Sequence, residues 1–369
     1  MAIYPNLIRE ALTHVRYPGT GKNVIEEGLL NDDIRIEGQK VSFSLIFPKE
    51  KDPFAASLVK ACEQAILTYV GPDTEIKGNI ATLFKEGHKV DPENPLPGVK
   101  NIIAVSSGKG GVGKSTVSAN LAVALAQRGY KVGLLDADIF GPSIPKMFGL
   151  EGARPVLDAV DGRELICPEE RYGVKVLSIG FFVNANDAVL WRGGMASNAL
   201  RQLITDANWG ELDYFVLDLP PGTSDIHLTL VQTLAITGAI VVSTPQEVAL
   251  ADARKGISMF TGDKVNVPIL GLVENMAWFT PAELPDHKYY LFGKDGCKRL
   301  ADEMQVNLLG QIPIVQSICE GGDKGEPVAC NANSITGMAF ADLADKVVEQ
   351  VEIRNNSKEK TQRVIVHRQ

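Results

Sequence analysis

The residues best suited to chemistry form one glycine-rich run, Gly108-Lys109-Gly110-Gly111-Val112-Gly113-Lys114-Ser115, followed by Thr116. Two glycines with four residues between them, followed by Lys and Ser, match the pattern of a phosphate-binding P-loop. Glycines let the backbone turn tightly and point its N–H groups inward, and a helix N-terminus beneath the loop adds partial positive charge. We therefore predict that residues 108–116 bind the phosphates of ATP, with Lys114 at the β- and γ-phosphates and Ser115 as a ligand of Mg²⁺.

The stretches on either side of the run support this prediction. An apolar stretch typical of a strand, residues 101–107, directly precedes it, and a helical stretch, residues 115–128, directly follows. A P-loop occurs between a strand and a helix in this order. The alternative is a glycine-rich turn of purely structural use, which the flanking strand and helix disfavour.

Three aspartates follow apolar strands and are candidate partners of the phosphates and the metal ion. Asp136 ends the strand KVGLLD, Asp138 follows two residues later, and Asp218 ends the strand YFVLD before the stretch LPPGT. The carboxyl ends of parallel strands deliver ligands to one edge of a sheet, so these carboxylates are expected beside the P-loop. We predict that Asp218 is a Walker B ligand of Mg²⁺ and that Asp136 supports the magnesium shell. The alternative for each is a helix cap or a surface carboxylate.

The elements that position these residues alternate between strand and helix after residue 100. Their strands are continuously apolar, which indicates a doubly wound, mainly parallel sheet covered on both faces, an α/β fold. Before residue 88 the chain predicts a small α+β domain, with helices over 3–14 and 53–70 and strands over 34–38 and 41–47. We divide the chain as follows: an α+β domain at 1–87, a proline-rich linker at 88–100, a P-loop domain at 101–353 and a polar, basic tail at 354–369.

Composition restricts the classes of protein that fit. The chain has 369 residues and a formal net charge of −8, which disfavours nucleic-acid binding. No apolar run approaches the length of a membrane span, and the first residues lack the order of a secretory signal. The five cysteines have no regular spacing, so we expect reduced thiols in a cytoplasmic protein without a membrane partner.

The early lysine of the loop, Lys109, gives the run GKGGVGKST, which resembles the deviant P-loop of nitrogenase iron protein, MinD and ParA. In that family the early lysine reaches the nucleotide of the partner subunit, so the resemblance implies a homodimer that sandwiches ATP. It also implies that Asp138 orients or activates the water that attacks the γ-phosphate. Two more positions resemble the adenine site of the family, Asn275 at the end of ILGLVEN and Pro313 in GQIPI.

Longer motifs resemble the Mrp/NBP35 group, also called ApbC, over nearly the whole chain. They are VSSGKGGVGKST, LDADIFGPSIP, WRGGMASNAL, DLPPGTSDIHLTL and STPQEVALADARKG. The amino-terminal domain resembles the MIP18 or DUF59 module. These resemblances imply an ATP-hydrolysing carrier or scaffold that delivers iron–sulfur clusters to apoprotein clients, with slow, switch-like turnover.

The chain departs from this group at the cluster ligands. Members usually carry a Cys-x-x-Cys pair shortly after the Asn-Met of the adenine strand, whereas residues 275–296 here contain no cysteine. Cys297 lies just beyond that stretch and is the candidate thiol for a [4Fe–4S] cluster, with His287 as a candidate neighbour and Cys319 and Cys330 as further thiols. Two other functions stay open: a positioning ATPase like MinD or ParA, and an ATPase without a cluster that delivers or regulates clients.

Overall fold

The computed structural model describes residues 3–18, 20–31, 33–47, 54–84, 94–160, 162–182, 193–262, 265–281, 283–284, 286–359 and 361–363. The chain forms two compact units. One comprises Met1–Lys89 with Asp161–Arg163, and the other comprises Val90–Val160 with Glu164–Gln369.

The smaller unit is an α+β structure with its own apolar core. Its elements are α1 (Pro5–Leu12), β1 (Arg35–Glu37), β2 (Lys40–Phe47), α2 (Ala55–Tyr69) and β3 (Ile80–Phe84). The sheet order is β1-β2-β3, with β1 antiparallel and β3 parallel to β2. Leu45 and Phe47 on β2 are fully buried together with Leu58 on α2 and Ile8 on α1. The sequence predicted both helices and the first two strands, and β3 is an addition from the structure.

The larger unit contains a mainly parallel sheet of eight strands and a separate pair of strands. Its strands are β4 (Val99–Ser107), β5 (Val132–Asp136), β6 (Leu157–Val160), β7 (Arg163–Ile166), β8 (Glu169–Arg171), β9 (Val174–Ser178), β10 (Leu212–Asp218), β11 (Gly238–Ser243), β12 (Ile269–Phe279) and β13 (Leu308–Ile314). Its helices are α3 (Lys114–Gln127), α4 (Ile144–Met147), α5 (Gly193–Thr205), α6 (Asp225–Thr233), α7 (Glu247–Thr261), α8 (Gly296–Met304), α9 (Gln316–Lys324) and α10 (Ile335–Ser357). The sheet order is β13-β12-β11-β4-β10-β5-β9-β8, and β6 pairs with β7 separately.

Burial on both faces explains why the sequences of these strands are continuously apolar. Every residue of β5 and of β11 is buried, because helices pack on both faces of the sheet. All the described pairs in this sheet are parallel except β8 with β9. The doubly wound, mainly parallel α/β fold expected from the sequence is confirmed.

The strand order brings the functional segments to one edge of the sheet. Strand β10 lies between β4 and β5, and Asp218 at its end pairs in register with Asp136 at the end of β5. The P-loop begins where β4 ends, beside the same carboxylates. This placement at the carboxyl edge is where open α/β sheets bind ligands.

Several boundaries differ from those expected. Strand β4 starts at Val99, so the last two residues of the expected linker belong to the sheet, and residues 88–93 lie outside the described residues. Helix α10 continues to Ser357, four residues into the expected tail, and residues 364–369 lie outside the described residues. Across the described ranges, no helix has both the length and the apolar character needed to span a bilayer.

The core around β5 predicts a large and local stability effect. Leu134 is fully buried between β10 and β9, paired in register with Val216 and Val176. Leu134→Ala should lower the free energy of unfolding by about 2–5 kcal/mol, because it removes apolar contacts and leaves a cavity. Urea unfolding followed by circular dichroism measures the change. Leu157→Ala, at a side chain that is 63% exposed, is the matched control with an expected effect within about 0.5 kcal/mol, and equal effects would contradict the placement.

Candidate nucleotide-binding site

The glycine loop owes its shape to backbone conformation and to close packing. Gly113 has a φ of 83°, a left-handed value that favours glycine, and a Cβ there would lie 2.1 Å from Asn275 Nδ2. Gly108 packs so closely on α7 that a Cβ would lie 2.2 Å from the carbonyl carbon of Asp252. Side chains at either position would displace the loop from its neighbours.

Lys114 is the buried centre of the site. Its side chain is 6% exposed, and its Nζ lies 2.8 Å from Asp218 Oδ1, 3.0 Å from Ser115 Oγ and 3.8 Å from Asp138 Oδ2. Ser118, one helical turn after Lys114, donates its hydroxyl to the same Asp218 oxygen at 2.7 Å. The structure thus brings together three of the predicted site residues around one ammonium group. Ser118 is a member that the motif did not indicate, although its i+4 spacing from Lys114 places both on one helix face.

Asp136 is fully buried, and both of its carboxylate oxygens accept hydrogen bonds from the protein. Its Oδ1 accepts the N–H of Asp138 at 3.1 Å, and its Oδ2 accepts the N–H of Ile144 at 3.2 Å and the hydroxyl of Ser178 at 3.0 Å. Burial raises the pKa of this carboxyl, and the nearby charge of Asp218 raises it further. The arrangement fixes the turn that follows β5 and so positions Asp138. Support of the magnesium shell by Asp136 stays a prediction.

Asp138 faces the phosphate side of the loop. Its side chain is 13% exposed, and burial raises the pKa of the carboxyl despite the opposing charge of Lys114. It lines a cavity of about 230 Å³ together with Ser107, Gly110–Thr116, Ser143, Met147 and Pro221. Among the described atoms, the second oxygen of Asp218, Oδ2, is buried without a hydrogen-bond partner. A glycine-lined cavity with a lysine, a hydroxyl and an unsatisfied carboxylate oxygen fits a magnesium-bound phosphate chain.

A second cavity, of about 740 Å³, adjoins the first and contains both predicted adenine-site residues. Asn275 and Pro313 line it, and Gly113 and Thr116 line both cavities. Asn275 also donates Nδ2 to the carbonyl of Val112 at 2.8 Å, which ties β12 to the glycine loop. The side-chain amide N–H of Asn275 that donates to Val112 is therefore not available to hydrogen-bond the base.

Lys109 lies away from this buried centre. Its side chain is partly exposed, and the hydroxyl of Ser107 donates to its carbonyl oxygen at 3.0 Å. The action of Lys109 on the nucleotide of a second copy stays a prediction.

The candidate cluster ligand is inaccessible in the structure. Cys297 is fully buried at the start of α8, among apolar residues that include Leu250 and Leu300, and burial raises the pKa of its thiol. Its N–H donates to Glu274 Oε2 at 2.6 Å. The role of iron ligand considered for Cys297 stays a prediction. His287, Cys319 and Cys330 are exposed, and no group of three or more His, Cys, Asp or Glu suited to a metal ion occurs among the described residues.

His227 is a buried side chain near the site, and the sequence motifs did not indicate it. It is 3% exposed, its Nδ1 accepts the N–H of Ser224 at 3.1 Å, and its Nε2 has no partner among the described residues. Burial lowers its pKa to about 4, and the charge of Lys114 acts in the same direction. The ring therefore stays neutral and holds the start of α6, directly after the loop that follows Asp218.

Two family models match the chain. Residues 98–348 match the model described as NUBPL iron-transfer P-loop NTPase, and residues 6–77 match the model described as iron–sulfur cluster assembly protein. Each match covers most of one unit, the first that of the larger unit and the second that of the smaller unit.

Individual relatives agree with both models. The chain is 42% identical over 343 residues to the iron–sulfur cluster carrier protein of Synechocystis sp., covering 92% of this chain and 96% of the relative. A nucleotide-binding protein from Archaeoglobus fulgidus, solved in complex with ADP, is 40% identical with a TM-score of 0.55, covering 63% of this chain and 89% of that chain. The cell division ATPase MinD of Pyrococcus furiosus is 26% identical with a TM-score of 0.50, covering 68% of this chain and 98% of that chain. The expected MinD-like fold is thereby confirmed.

The buried His227 predicts a specific dependence of stability on pH. Its pKa is near 4 in the folded protein and about 6.5 when unfolded, so the unfolded state binds the extra proton between these values. Its contribution to stability is complete above pH about 6.5 and falls by up to about 1.4 kcal/mol per pH unit towards pH about 4. His227→Gln, which keeps an acceptor for the Ser224 N–H, should remove this component. Urea unfolding of both proteins at a series of pH values measures it, and parallel pH profiles would contradict the buried neutral ring.

Proposed function

The chain belongs to the NUBPL iron-transfer P-loop NTPase family, and on this premise we propose that it is an ATP-hydrolysing iron–sulfur cluster carrier. It binds ATP and Mg²⁺, hydrolyses ATP slowly, and delivers clusters to apoprotein clients as a homodimer in the cytoplasm. The observation that carries the proposal is the pair of adjoining cavities at the P-loop, one lined by phosphate-binding groups and one lined by Asn275 and Pro313.

Exchange of partners at Lys114 is the first step of the proposed cycle. Without a ligand, the ammonium group is neutralised by Asp218 at 2.8 Å. The β- and γ-phosphates give Lys114 an alternative anionic partner, which frees the Asp218 carboxylate. Ser115 and Asp218 would then hold Mg²⁺, which neutralises charge on the phosphates when bound. The loop amides of residues 110–113 complete the phosphate cradle.

Hydrolysis then depends on Asp138. Its carboxylate borders the phosphate cavity, and its backbone N–H donates to Asp136 Oδ1. In the proposed reaction Asp138 orients the water whose oxygen bonds to the γ-phosphorus, while the bond from that phosphorus to the bridging oxygen of ADP breaks. Lys109 of each copy stabilises the charge on the nucleotide of the other copy. Slow hydrolysis of ATP suits a protein in which the nucleotide controls the state of assembly.

The iron–sulfur cluster is the cargo in this proposal. Family membership supports it, since relatives with most of this chain's length are named cluster carriers. The thiols within the described ranges that are exposed are Cys319 and Cys330, and these are the candidates for cluster contact.

A second candidate function follows from the thiol arrangement. No cysteine occurs from residue 275 to residue 296, and Cys297 is buried. These observations favour an ATPase that binds and releases clients without carrying a cluster itself. Both candidates use the same nucleotide site.

Two substitutions separate nucleotide binding from hydrolysis. Lys114→Ala should abolish ATP binding, because it removes the buried positive charge from the phosphate cavity. Asp138→Asn should keep binding within about threefold and lower the rate of phosphate release by at least about a hundredfold, if the carboxylate orients water. Calorimetric titration and a phosphate-release assay give the two values. An Asp138→Asn enzyme that hydrolyses ATP at the wild-type rate would remove Asp138 from the mechanism.

Anaerobic reconstitution decides between the two candidate functions. The wild-type protein incubated with iron and sulfide should develop the visible absorbance of a thiolate-bound cluster and retain iron after gel filtration. The double variant Cys319→Ser, Cys330→Ser should lose the bound iron while keeping its ATP affinity. Wild-type protein that retains no iron would leave the cluster-free ATPase as the function.

A further inference from the structure

A large cavity lies at the edge of the sheet opposite the P-loop. Its volume is about 830 Å³, and its lining includes Ile269 at the start of β12 and Val306 before β13. The end of α10 and the chain that follows this helix also contribute to the described lining. Parallel strands begin at this edge, whereas the P-loop follows the end of β4. Ile269 and Asn275 lie six positions apart on β12, about 20 Å at the rise of a strand, so this amino-edge cleft is separate from the nucleotide site.

The amino-edge cleft has the size and the apolar surface of a small-molecule site. Sites for such ligands have volumes of about 300–1,000 Å³ and bury most of the ligand. Six residues of the described lining are apolar: Val265, Val267, Pro268, Ile269, Met304 and Val306. All of them except Val267 keep part of their surface exposed. An organic group bound in the cleft would cover this apolar surface, which favours binding.

Arg354, which lines the cleft at the end of α10, is a buried cation with neutral partners. It is 7% exposed, and its guanidinium group donates to the Glu359 carbonyl at 2.8 Å and to the Thr361 hydroxyl at 2.6 Å. A third bond goes to the side-chain oxygen of Asn355 at 3.1 Å. Its Nε is buried without a hydrogen-bond partner, and within the described ranges no carboxylate forms an ion pair with the group. Because arginine stays charged, a buried guanidinium without an anion is costly.

Two further cations of the chain after α10, Lys358 and Arg363, line the same cleft. Neither of them forms an ion pair with a described carboxylate. With Arg354 and with Glu359, the acidic residue of the described lining, they give the cleft a net charge of +2. A phosphate monoester carries a charge of about −1.5 to −2 at neutral pH, and guanidinium groups bind phosphate oxygens in pairs. The charge of the cleft therefore matches that of a phosphate monoester.

We propose that the amino-edge cleft binds the phosphate monoester of a small molecule with an apolar body. The phosphate accepts hydrogen bonds from Arg354, Lys358 and Arg363, and the apolar body packs against Val267 and Met304. The bound phosphate supplies the negative charge that Arg354 otherwise lacks. This site goes beyond the proposed nucleotide function, because its described lining shares no residue with either cavity at the P-loop.

Calorimetric titration with naphthyl phosphate tests the site, and naphthoate and neutral naphthol are the comparison ligands. Wild-type protein should bind naphthyl phosphate at least about tenfold more tightly than naphthoate, because the second negative charge meets a cleft of net charge +2. Lys114→Ala should bind naphthyl phosphate with the wild-type Kd, since the P-loop takes no part. Affinity for naphthoate or naphthol equal to that for naphthyl phosphate, no binding at all, or loss of binding in Lys114→Ala would overturn the proposal.

Removal of the two accessible cations tests which residues bind the phosphate. Lys358 is exposed and Arg363 is partly exposed, so the double variant Lys358→Gln, Arg363→Gln should fold normally. It should raise the Kd for naphthyl phosphate at least about tenfold, because two charge-assisted hydrogen bonds are lost. The matched control is Lys298→Gln, Lys346→Gln, which changes the net charge equally at exposed lysines outside the cleft. Equal Kd values for the two double variants would contradict the assignment of the cleft.

Arg354→Met separates phosphate binding from a purely structural role of Arg354. A structural role, through the bonds to Glu359 and Thr361, would change the stability of the protein without altering its response to the ligand. If Arg354 binds phosphate, naphthyl phosphate should raise the melting temperature of wild-type protein and leave that of Arg354→Met unchanged. Scanning calorimetry with and without the ligand measures both values. The same rise in both proteins would remove Arg354 from the site and refute the proposal.

Discussion

The buried contact between the ammonium group of Lys114 and the carboxylate of Asp218 is the interaction on which the rest of the site depends. Both side chains are nearly inaccessible to solvent, and Asp136 and Asp138 lie close by. One lysine therefore faces three carboxylates in a buried region. Charges in such surroundings need compensation. The hydrogen bonds from Ser118 and Ser178 supply part of it, and the raised pKa of Asp136 reflects the remainder. The cluster lacks positive charge, since one lysine faces three carboxylates, and a bound Mg²⁺ would supply it.

The position of this cluster follows from the order of the strands. Because β10 lies between β4 and β5, the glycine loop, Asp136 and Asp218 end at one edge, and a helix N-terminus lies beneath the loop. Strand β12 then adds Asn275, whose side chain donates to the carbonyl of Val112 in the glycine loop. The loop and the cavity lined by Asn275 and Pro313 are therefore directly connected.

Much of the larger unit was predictable because its signals are local. The alternation of apolar runs and helical stretches gave the parallel sheet, and a strand, a glycine loop and a helix in succession gave the P-loop. Strands β3, β8 and β9 were not predicted. Strands β3 and β8 lack a continuous buried run, whereas four of the five residues of β9 are buried. Helix α10 continues past its expected end although Asn355 and Ser357 have low helix propensity. Tertiary contacts oppose that propensity, since Arg354 is buried and Asn355 donates its side-chain amide to Asn101 Oδ1.

The sequence by itself determined the phosphate loop, the sheet class and the family, because each depends on residues adjacent in the chain or on a repeated pattern. Only the tertiary structure decided the burial of Cys297, the contact of Asn275 with Val112, which are 163 positions apart, and the presence of Gly113 and Pro313 in the lining of one cavity. These features depend on how distant segments pack. A cysteine has the same local signature in a core and at a surface, and packing alone chooses between the two.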